Sequence, residues 1–306
     1  MKCTVCRGPA VIKTRHHNGK FCRPHFFEHI ERQVRRVIER YEMLEPGERV
    51  LLGVSGGKDS MAAWDLLTRL GYDVRAVHID AEFGPVSRRA VAHLRDFAAQ
   101  RALPLRIYRY PELLGADFDA ARRQSRKPVC SLCGTLKRYY LNQLALRLGC
   151  DVVATGHNLD DETAFLLGNV LHWQLGFLGR QGPVLPAEEG MVRKVKPLVR
   201  LTDDDTRRYV AARGIAVVSE PCPHARGATS RAYKRHLSRL EKEYPGSRSD
   251  FYFRFIEHVR AHLPDDPASA EVGVRHCRVC GYKTLREDRC YVCALRESVA
   301  AAEAAG

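Results

Sequence analysis

Residues 26–44 place Phe26, Ile30, Val34, Val37, Tyr41 and Leu44 at steps of three and four, with Arg32, Arg36 and Arg40 on another face. That period predicts an amphipathic helix, and Pro46-Gly47 predicts its stop. From Arg49 the pattern changes. Short apolar runs at 49–54, 74–79, 103–108 and 152–155 alternate with helical stretches at 59–70, 86–102, 132–148 and 159–171. A further unit reads as strand 194–199, helix 203–213 and strand 215–218. Such alternation predicts a parallel sheet with helices on both faces and ligands at the carboxyl ends of its strands. Residues 228–263 read as a basic helical segment, with Phe251, Phe255, Val259 and Leu263 on one stripe. Pro264–Pro267 is expected to break the chain, and the Ala-rich tail 299–306 to fray. No pattern repeats along the chain.

Composition narrows the class. A chain of 306 residues with 45% hydrophobic and 28% charged residues suits two or three folded domains and excludes a largely disordered protein. No apolar run reaches about 18 residues, so no membrane-spanning helix is expected. MKCTVCRGPAV lacks a basic start followed by an apolar stretch, which predicts no signal peptide and a cytoplasmic protein. In that setting the 11 cysteines read as metal ligands or redox groups. The net charge is +14, and 39 of the 50 basic residues are Arg, whose planar fork of donors suits phosphate. A polyanion, most simply nucleic acid, is the expected partner, against the alternative of a solvated basic surface.

Ser55-Gly56-Gly57-Lys58-Asp59-Ser60 follows Gly53 at the end of the first strand and opens a helix. The glycines let the backbone turn tightly, and the amides of a helix start favour an anion. Lys58 adds charge; Ser55 and Ser60 add hydroxyls. A Walker A loop would need Gly at position 52 and Ser or Thr at 59, where Leu52 and Asp59 stand. The hexapeptide SGGKDS resembles the PP-loop of the N-type ATP pyrophosphatases, which hold the pyrophosphate of ATP and transfer AMP. Gly156-His157-Asn158-Leu159-Asp160-Asp161, after the fourth strand, is similar to that family's second motif. The resemblance places Asp161 near the nucleotide and phosphates, although paired Asp at a helix start is also ordinary capping. It also places the adenine at the backbone of Ile79; His78 is assigned no chemistry.

Cys130-Ser131-Leu132-Cys133 stands at a helix start, and Cys222 lies between Pro221 and Pro223. Three thiolates leave one iron of a [4Fe–4S] cluster open to a sulfur species. A redox disulfide, a zinc site completed by His224 and a catalytic persulfide are the alternatives that spacing leaves open. A PP-loop followed by Cys-x-x-Cys and one later Cys resembles the tRNA 2-thiolation enzymes, many of which carry such a cluster. The resemblance gives Lys137, one turn along, a role with phosphate or nucleotide.

The remaining cysteines lie near the ends. Cys3-x2-Cys6-x15-Cys22-x2-His25 and Cys277-x2-Cys280-x9-Cys290-x2-Cys293 each offer four ligands in the pattern of closed, tetrahedral structural zinc. A further iron–sulfur cluster is the rival at either end. Cys150 is left over and reads as a small buried hydrophobe. Paired terminal ribbons are similar to those of the uridine-thiolating enzymes, and CSLCGTLKRYYLN resembles the branch acting on 5-methyluridine 54 of the T-loop. Thiolation of wobble uridine 34 or of cytidine 32 is the alternative within the family. A PP-loop ligase and a non-catalytic zinc-ribbon RNA binder are the rivals outside it.

The resemblance implies a PP-loop α/β fold flanked by two zinc ribbons and an enzyme that adenylates O2 of the base before sulfur replaces it. It also implies ATP with Mg²⁺, two Zn²⁺, a [4Fe–4S] cluster and a tRNA substrate. The sulfur donor would be a ubiquitin-like carrier with a C-terminal thiocarboxylate, and the enzyme a homodimer. The expected boundaries are an N-terminal ribbon and basic helix over 1–45, a catalytic domain over 46–227, a basic helical segment over 228–270 and a C-terminal ribbon over 271–306.

Overall fold

The structure is a computed structural model of the chain. It describes residues 1–14, 19–220, 222, 224, 229–263 and 275–304. A hairpin of β1 (Ile12–Thr14) and β2 (Gly19–Phe21) leads into α1 (Arg23–Arg40). The alternating part follows: β3 (Arg49–Gly53), α2 (Lys58–Arg69), β4 (Asp73–Asp80), α3 (Pro85–Arg101), β5 (Leu105–Arg109), then α4 (Tyr110–Leu114), α5 (Phe118–Arg123) and α6 (Val129–Arg147). Next come β6 (Val152–Ala154), α7 (Leu159–Leu171), α8 (Leu175–Gly179), β7 (Val184–Leu185), β8 (Arg193–Val195) and α9 (Asp203–Arg213). The chain then forms α10 (Thr229–Glu243), α11 (Ser247–Arg254), β9 (Arg275–His276), β10 (Lys283–Thr284) and α12 (Tyr291–Ala304).

The central sheet has the order β5-β4-β3-β6-β8-β7, parallel except for β7. From β3 the chain winds one way to β4 and β5; from β6 it winds the other way. The adjacent strands β3 and β6 therefore form the switch point, where the carboxyl ends leave a crevice.

Two cores lie on the two faces of this sheet. Val50 and Leu52 of β3, Val74 and Ala76 of β4 and Val152 and Ala154 of β6 share one core with α1, α2, α3 and α9. Leu51, Val77, Ile79 and Val153 share the other with α4, α5 and α6. Alternate residues of one strand thus serve opposite faces, as the pleat requires. Cys277, Cys290, Cys293, Leu295 and Val299 join this second core, so the C-terminal segment is docked on α6. Among the described residues no helix is long and apolar enough to cross a membrane.

Several expectations need correction. Residues 215–218 form no strand. The edge of β8 that they would occupy is taken by β7, whose two residues are too short to show alternation. Val218 N–H instead donates to the Gly56 carbonyl at 2.9 Å. Helix α1 ends at Arg40, before Tyr41 and Leu44, and Glu42 turns the chain with φ +47°. The basic segment is broken at Pro245-Gly246, and α11 runs on into a π turn at Phe255–Val259. The tail is helical as far as Ala304 and buries Val299. The break at Pro264–Pro267 lies outside the described residues.

Asn142 shows how the layers are pinned. It is fully buried on α6; its Nδ2–H donates to the Gly190 carbonyl at 2.8 Å and its Oδ1 accepts the Val192 N–H at 3.1 Å. Together they fix the turn between β7 and β8, where a Cβ on Gly190 would lie 2.1 Å from the Gly281 carbonyl oxygen. Asn142→Leu leaves both backbone groups unsatisfied and is expected to cost about 2 kcal/mol. The shift in urea midpoint measures it; a loss below about 0.5 kcal/mol would deny Asn142 this role.

Candidate active site and metal centres

The turn after β3 carries SGGKDS into α2. Gly56 has φ +79°, and a Cβ there would also come within 3.2 Å of the Ala90 Cβ. Ser60 Oγ donates to the Gly57 carbonyl at 3.0 Å and accepts the Ser55 N–H at 3.0 Å, closing the loop on itself. Helix α2 starts without a side-chain cap, whereas α7 and α9, at the same sheet edge, each carry a capping box. The first amides of α2 therefore face the crevice free for an anion.

Gly156, after β6, faces this loop directly. A Cβ on it would lie 2.8 Å from Ser60 N and 2.9 Å from Asp59 C, so only glycine lets the two loops touch. Gly53 leaves room for Leu141 of α6, whose Cδ1 a Cβ would meet at 3.0 Å. Ile79 is buried near the end of β4. His78 Nδ1 lies 2.7 Å from the Val54 carbonyl, which makes that nitrogen the donor, and burial lowers the ring's pKa. It is a core histidine.

Charged side chains join the three helix starts. Lys58 Nζ donates to Asp59 Oδ2 at 2.7 Å and to Asp203 Oδ1 at 2.8 Å. Asp59 Oδ1 accepts from Thr206 Oγ1 at 2.6 Å and from Asn158 Nδ2 at 2.9 Å. The Asp203 N–H donates to Asp160 Oδ2 at 2.8 Å. Burial opposes the charge of Asp203, but the hydrogen bond and charge of Lys58 outweigh it and hold the carboxyl below its ordinary pKa. Asp160 is pushed up, mainly by burial. Asp161 sits in the capping box of α7 and also pairs with Lys234 at 2.6 Å, so it combines the capping reading with a place in this network. Asn158, Asp160, Asp203, Thr206 and Lys234 are network members that sequence reasoning did not assign to the site. A Thr-Asp-Asp-Asp run opening a helix at the same sheet edge was the available signal.

The three remaining cysteines of the predicted site lie on α6 and in the segment after α9. Cys130 and Cys133 occupy the first turns of α6; Cys130 and Cys222 are exposed and Cys133 is half-buried. The Cys130 thiol donates to the His224 carbonyl at 3.2 Å. Val218, which binds the phosphate loop, and His224, which meets Cys130, bracket Cys222. All three thiols are free of disulfides, and an all-sulfur donor set suits iron–sulfur chemistry. Their sulfurs are not gathered as tightly as the terminal sets. Lys137 is half-buried, and its charge helps depress His78.

Both terminal sets are assembled. In each, one ligand atom per residue lies within 4.8 Å of all the others. Cys22 caps α1 and brings its sulfur 3.0 Å from His25 Nδ1; Cys6 Sγ lies 3.9 Å from Cys22 Sγ. At the other end Cys280 and Cys290 sulfurs are 3.7 Å apart, and Tyr139 Oη lies 3.6 Å from Cys293 Sγ. Burial works against a charge on Cys277, yet backbone amides, Cys290's first, bring its thiol down to about 6. Burial pushes Cys293 up to about 11. Four clustered thiols cannot all ionise without a cation, and these donors fit tetrahedral zinc.

The PP-loop domain family matches residues 27–236, and the 2-thiouridine synthetase TtuA N-terminal LIM domain matches residues 2–27. The tRNA-5-methyluridine(54) 2-sulfurtransferase of Thermus thermophilus is 42% identical, over 93% of this chain and 88% of that protein. The chain belongs to the family of PP-loop tRNA 2-sulfurtransferases. The enzyme of the same name from Thermotoga maritima is 40% identical, over 98% of this chain and 97% of its own. The U34-tRNA thiolase NcsA from Methanococcus maripaludis, solved with its [4Fe-4S] cluster, shares the fold, with a TM-score of 0.81 at 24% identity over 97% of this chain and 96% of that one.

Two outcomes follow from this geometry. Gly156→Ala is expected to cost about 1–3 kcal/mol and to loosen the phosphate loop, read as a lower urea midpoint with faster hydrogen exchange over 55–60. Unchanged exchange there would contradict the close contact. Stripping metal with a strong chelator is expected to speed exchange across α6 as well as in the C-terminal segment, because they share a core. Exchange confined to residues 275–304 would show that the segment is not a brace.

Proposed function

We propose that this protein thiolates tRNA at C2 of uridine 54, or of its 5-methyl form, in the T-loop, with ATP activating the base oxygen. The observation that carries this reading is the phosphate loop and the paired cysteines of α6 opening onto one sheet edge, with the Cys222 segment running between them. Relatives at 40–42% identity named for position 54 support the choice of base.

O2 of uridine is a poor leaving group. Attack of O2 on the α-phosphorus of ATP forms an O–P bond and releases pyrophosphate, with ATP taken as its Mg²⁺ complex. Sulfur then bonds to C2, the C2–O2 bond breaks, and AMP departs carrying O2. The amides at the start of α2 and the Lys58 ammonium meet the charge that develops on the departing pyrophosphate. Asp59 and Asp203 position that ammonium. Gly156 and the capped start of α7 close the second wall of the nucleotide site, with Asp161 toward the nucleotide. Lys137 would meet phosphate or position the nucleotide, and the backbone of Ile79 would meet the adenine.

Cys130, Cys133 and Cys222 would hold a [4Fe–4S] cluster, which supplies an open, soft iron for sulfur when bound. Sulfur would arrive on a ubiquitin-like carrier ending in a thiocarboxylate. The terminal sets would each hold one Zn²⁺ as structural supports. The enzyme would act as a homodimer in the cytoplasm, where thiols stay reduced. The Arg-rich surface would meet tRNA phosphates, so affinity should fall steeply with salt.

The test is thiolation and pyrophosphate release measured side by side, under argon, with iron and zinc counted first. Wild-type protein should modify uridine 54 and leave a transcript with cytidine at that position untouched; modification at 34 or 32 contradicts the reading. Lys58→Ala should keep its iron and lose about a hundredfold in pyrophosphate release. Cys222→Ala should lose iron and thiolation while keeping tRNA-dependent pyrophosphate release. Cysteine variants that lack iron yet thiolate at the wild-type rate would refute the assignment of the trio.

A further inference from the structure

Helix α10 has two faces with different partners. Arg231, Arg235 and Arg239 lie along one exposed stripe, at steps of four. Lys234, Leu237 and Glu241, at steps of three and four, lie along the other, where Leu237 is buried. This inner face packs on α7, the helix that opens with Asp160 and Asp161. Lys234 Nζ lies 2.6 Å from Asp161 Oδ1 and 3.9 Å from Asp203 Oδ1, and Asp203 holds Lys58. Glu241 accepts the Arg248 N–H at 3.0 Å, and the Arg248 guanidinium pairs with Asp160. The two carboxylates that open α7 are thus each held by a cation from the basic C-terminal helices.

A cavity of about 550 Å³ lies at this contact, lined by residues of α9, α10 and α11 with Asp160 of α7. Arg207, Arg208, Arg235, Lys242 and Arg248 line it with Lys234, alongside Asp160, Asp203, Asp204 and Glu241. Cations outnumber carboxylates there by six to four, and the exposed arginine stripe of α10 continues from it. Phosphates of an RNA backbone fit such a surface. Lys234 therefore lies between the cationic cavity, which Asp203 also lines, and Asp161, and Asp203 leads on through Lys58 to the phosphate loop.

We propose that Lys234 is a positioning residue of the nucleotide site, through which RNA docked on the outer face of α10 aligns Asp161, Asp203 and Lys58 for ATP chemistry. The proposal rests on the reading that the enzyme uses ATP to act on tRNA. Burial works against the charge of Lys234, but Asp161, followed by Asp203 and Asp160, outweighs it and raises the pKa, so the ammonium stays charged at neutral pH. An ion pair of this kind, held between two elements, transmits a shift of α10 to the start of α7 without any contact between RNA and nucleotide.

The experiment compares wild type, Lys234→Met, Lys234→Gln and Lys234→Arg, as full-length anaerobic protein. Pyrophosphate release from ATP is measured with saturating tRNA, where O2 of the base takes the AMP, and without it, where water takes the AMP in slow hydrolysis; tRNA affinity is measured against salt. In the Met and Gln variants the ratio of tRNA-stimulated to tRNA-free release should fall about tenfold or more. Their tRNA affinity and its salt slope should stay at the wild-type values, and Arg should restore most of the stimulation. The Gln variant keeps a polar tip, so a failure of the Met variant to fold does not decide the matter. A salt slope lower by about one with undiminished stimulation would make Lys234 an ordinary phosphate contact and overturn the proposal. An equal fall in both rates would mark it as merely structural and also overturn it. A wild-type protein that releases no pyrophosphate with any tRNA would defeat the ATP reading itself.

Discussion

The ammonium of Lys58, held between Asp59 and Asp203, is the interaction on which the rest of this site depends. It joins the first turn of α2 to the first turn of α9, two helices 145 residues apart in the chain. Asn158 and Thr206 complete the joint by donating to Asp59. Helix starts repel one another because each carries positive partial charge, and carboxylates in their first turns relieve this. Here those carboxylates are in turn neutralised by Lys58, Lys234 and Arg248. The result is a rigid crevice at the switch point of the sheet in which α2 alone of these three helices has been left without a side-chain cap. A phosphate bound there would fill the role that a capping side chain fills in α7 and α9.

The paired cysteines depend on the same frame. Helix α6 carries Cys130 and Cys133 on its first turns and lies between the sheet and the C-terminal cysteine set. Its buried Leu132, Leu136 and Tyr139 share a core with Cys290, Cys293 and Val299. A metal at that set would therefore brace the helix that presents the paired cysteines, although it lies outside the nucleotide crevice. The N-terminal set works at a different place, holding the start of α1, whose apolar face enters the other core.

What could be read from sequence follows from the range of each interaction. SGGKDS, GHNLDD and the cysteine sets are local: their backbone turns and ligand spacings are written in a few adjacent residues. The inner strands β3, β4 and β6 also showed plainly, because each carries apolar residues on both faces. Residues 215–218 looked the same, since Ile215, Ala216, Val217 and Val218 also make an apolar run, although only Ile215 is buried. Only the occupation of the β8 edge by β7 distinguishes the two cases. Asp203 was hidden for another reason. Thr202-Asp203-Asp204-Asp205 has all the features of a capping box, and its bond to Lys58 is visible only once the sheet order is known. Lys234 was one basic residue among several on a helix, and its inward direction became clear only when α10 was seen to pack on α7.

The central claim is that the loops after β3 and β6 and the start of α9 form one nucleotide site. Hydrogen exchange with and without a non-hydrolysable ATP analogue tests it most directly. The account predicts that slower exchange appears together in residues 56–60, 156–161 and 203–206, at the same analogue concentration. Protection that appears in the phosphate loop alone, or only around the cationic cavity between α9 and α10, would contradict it.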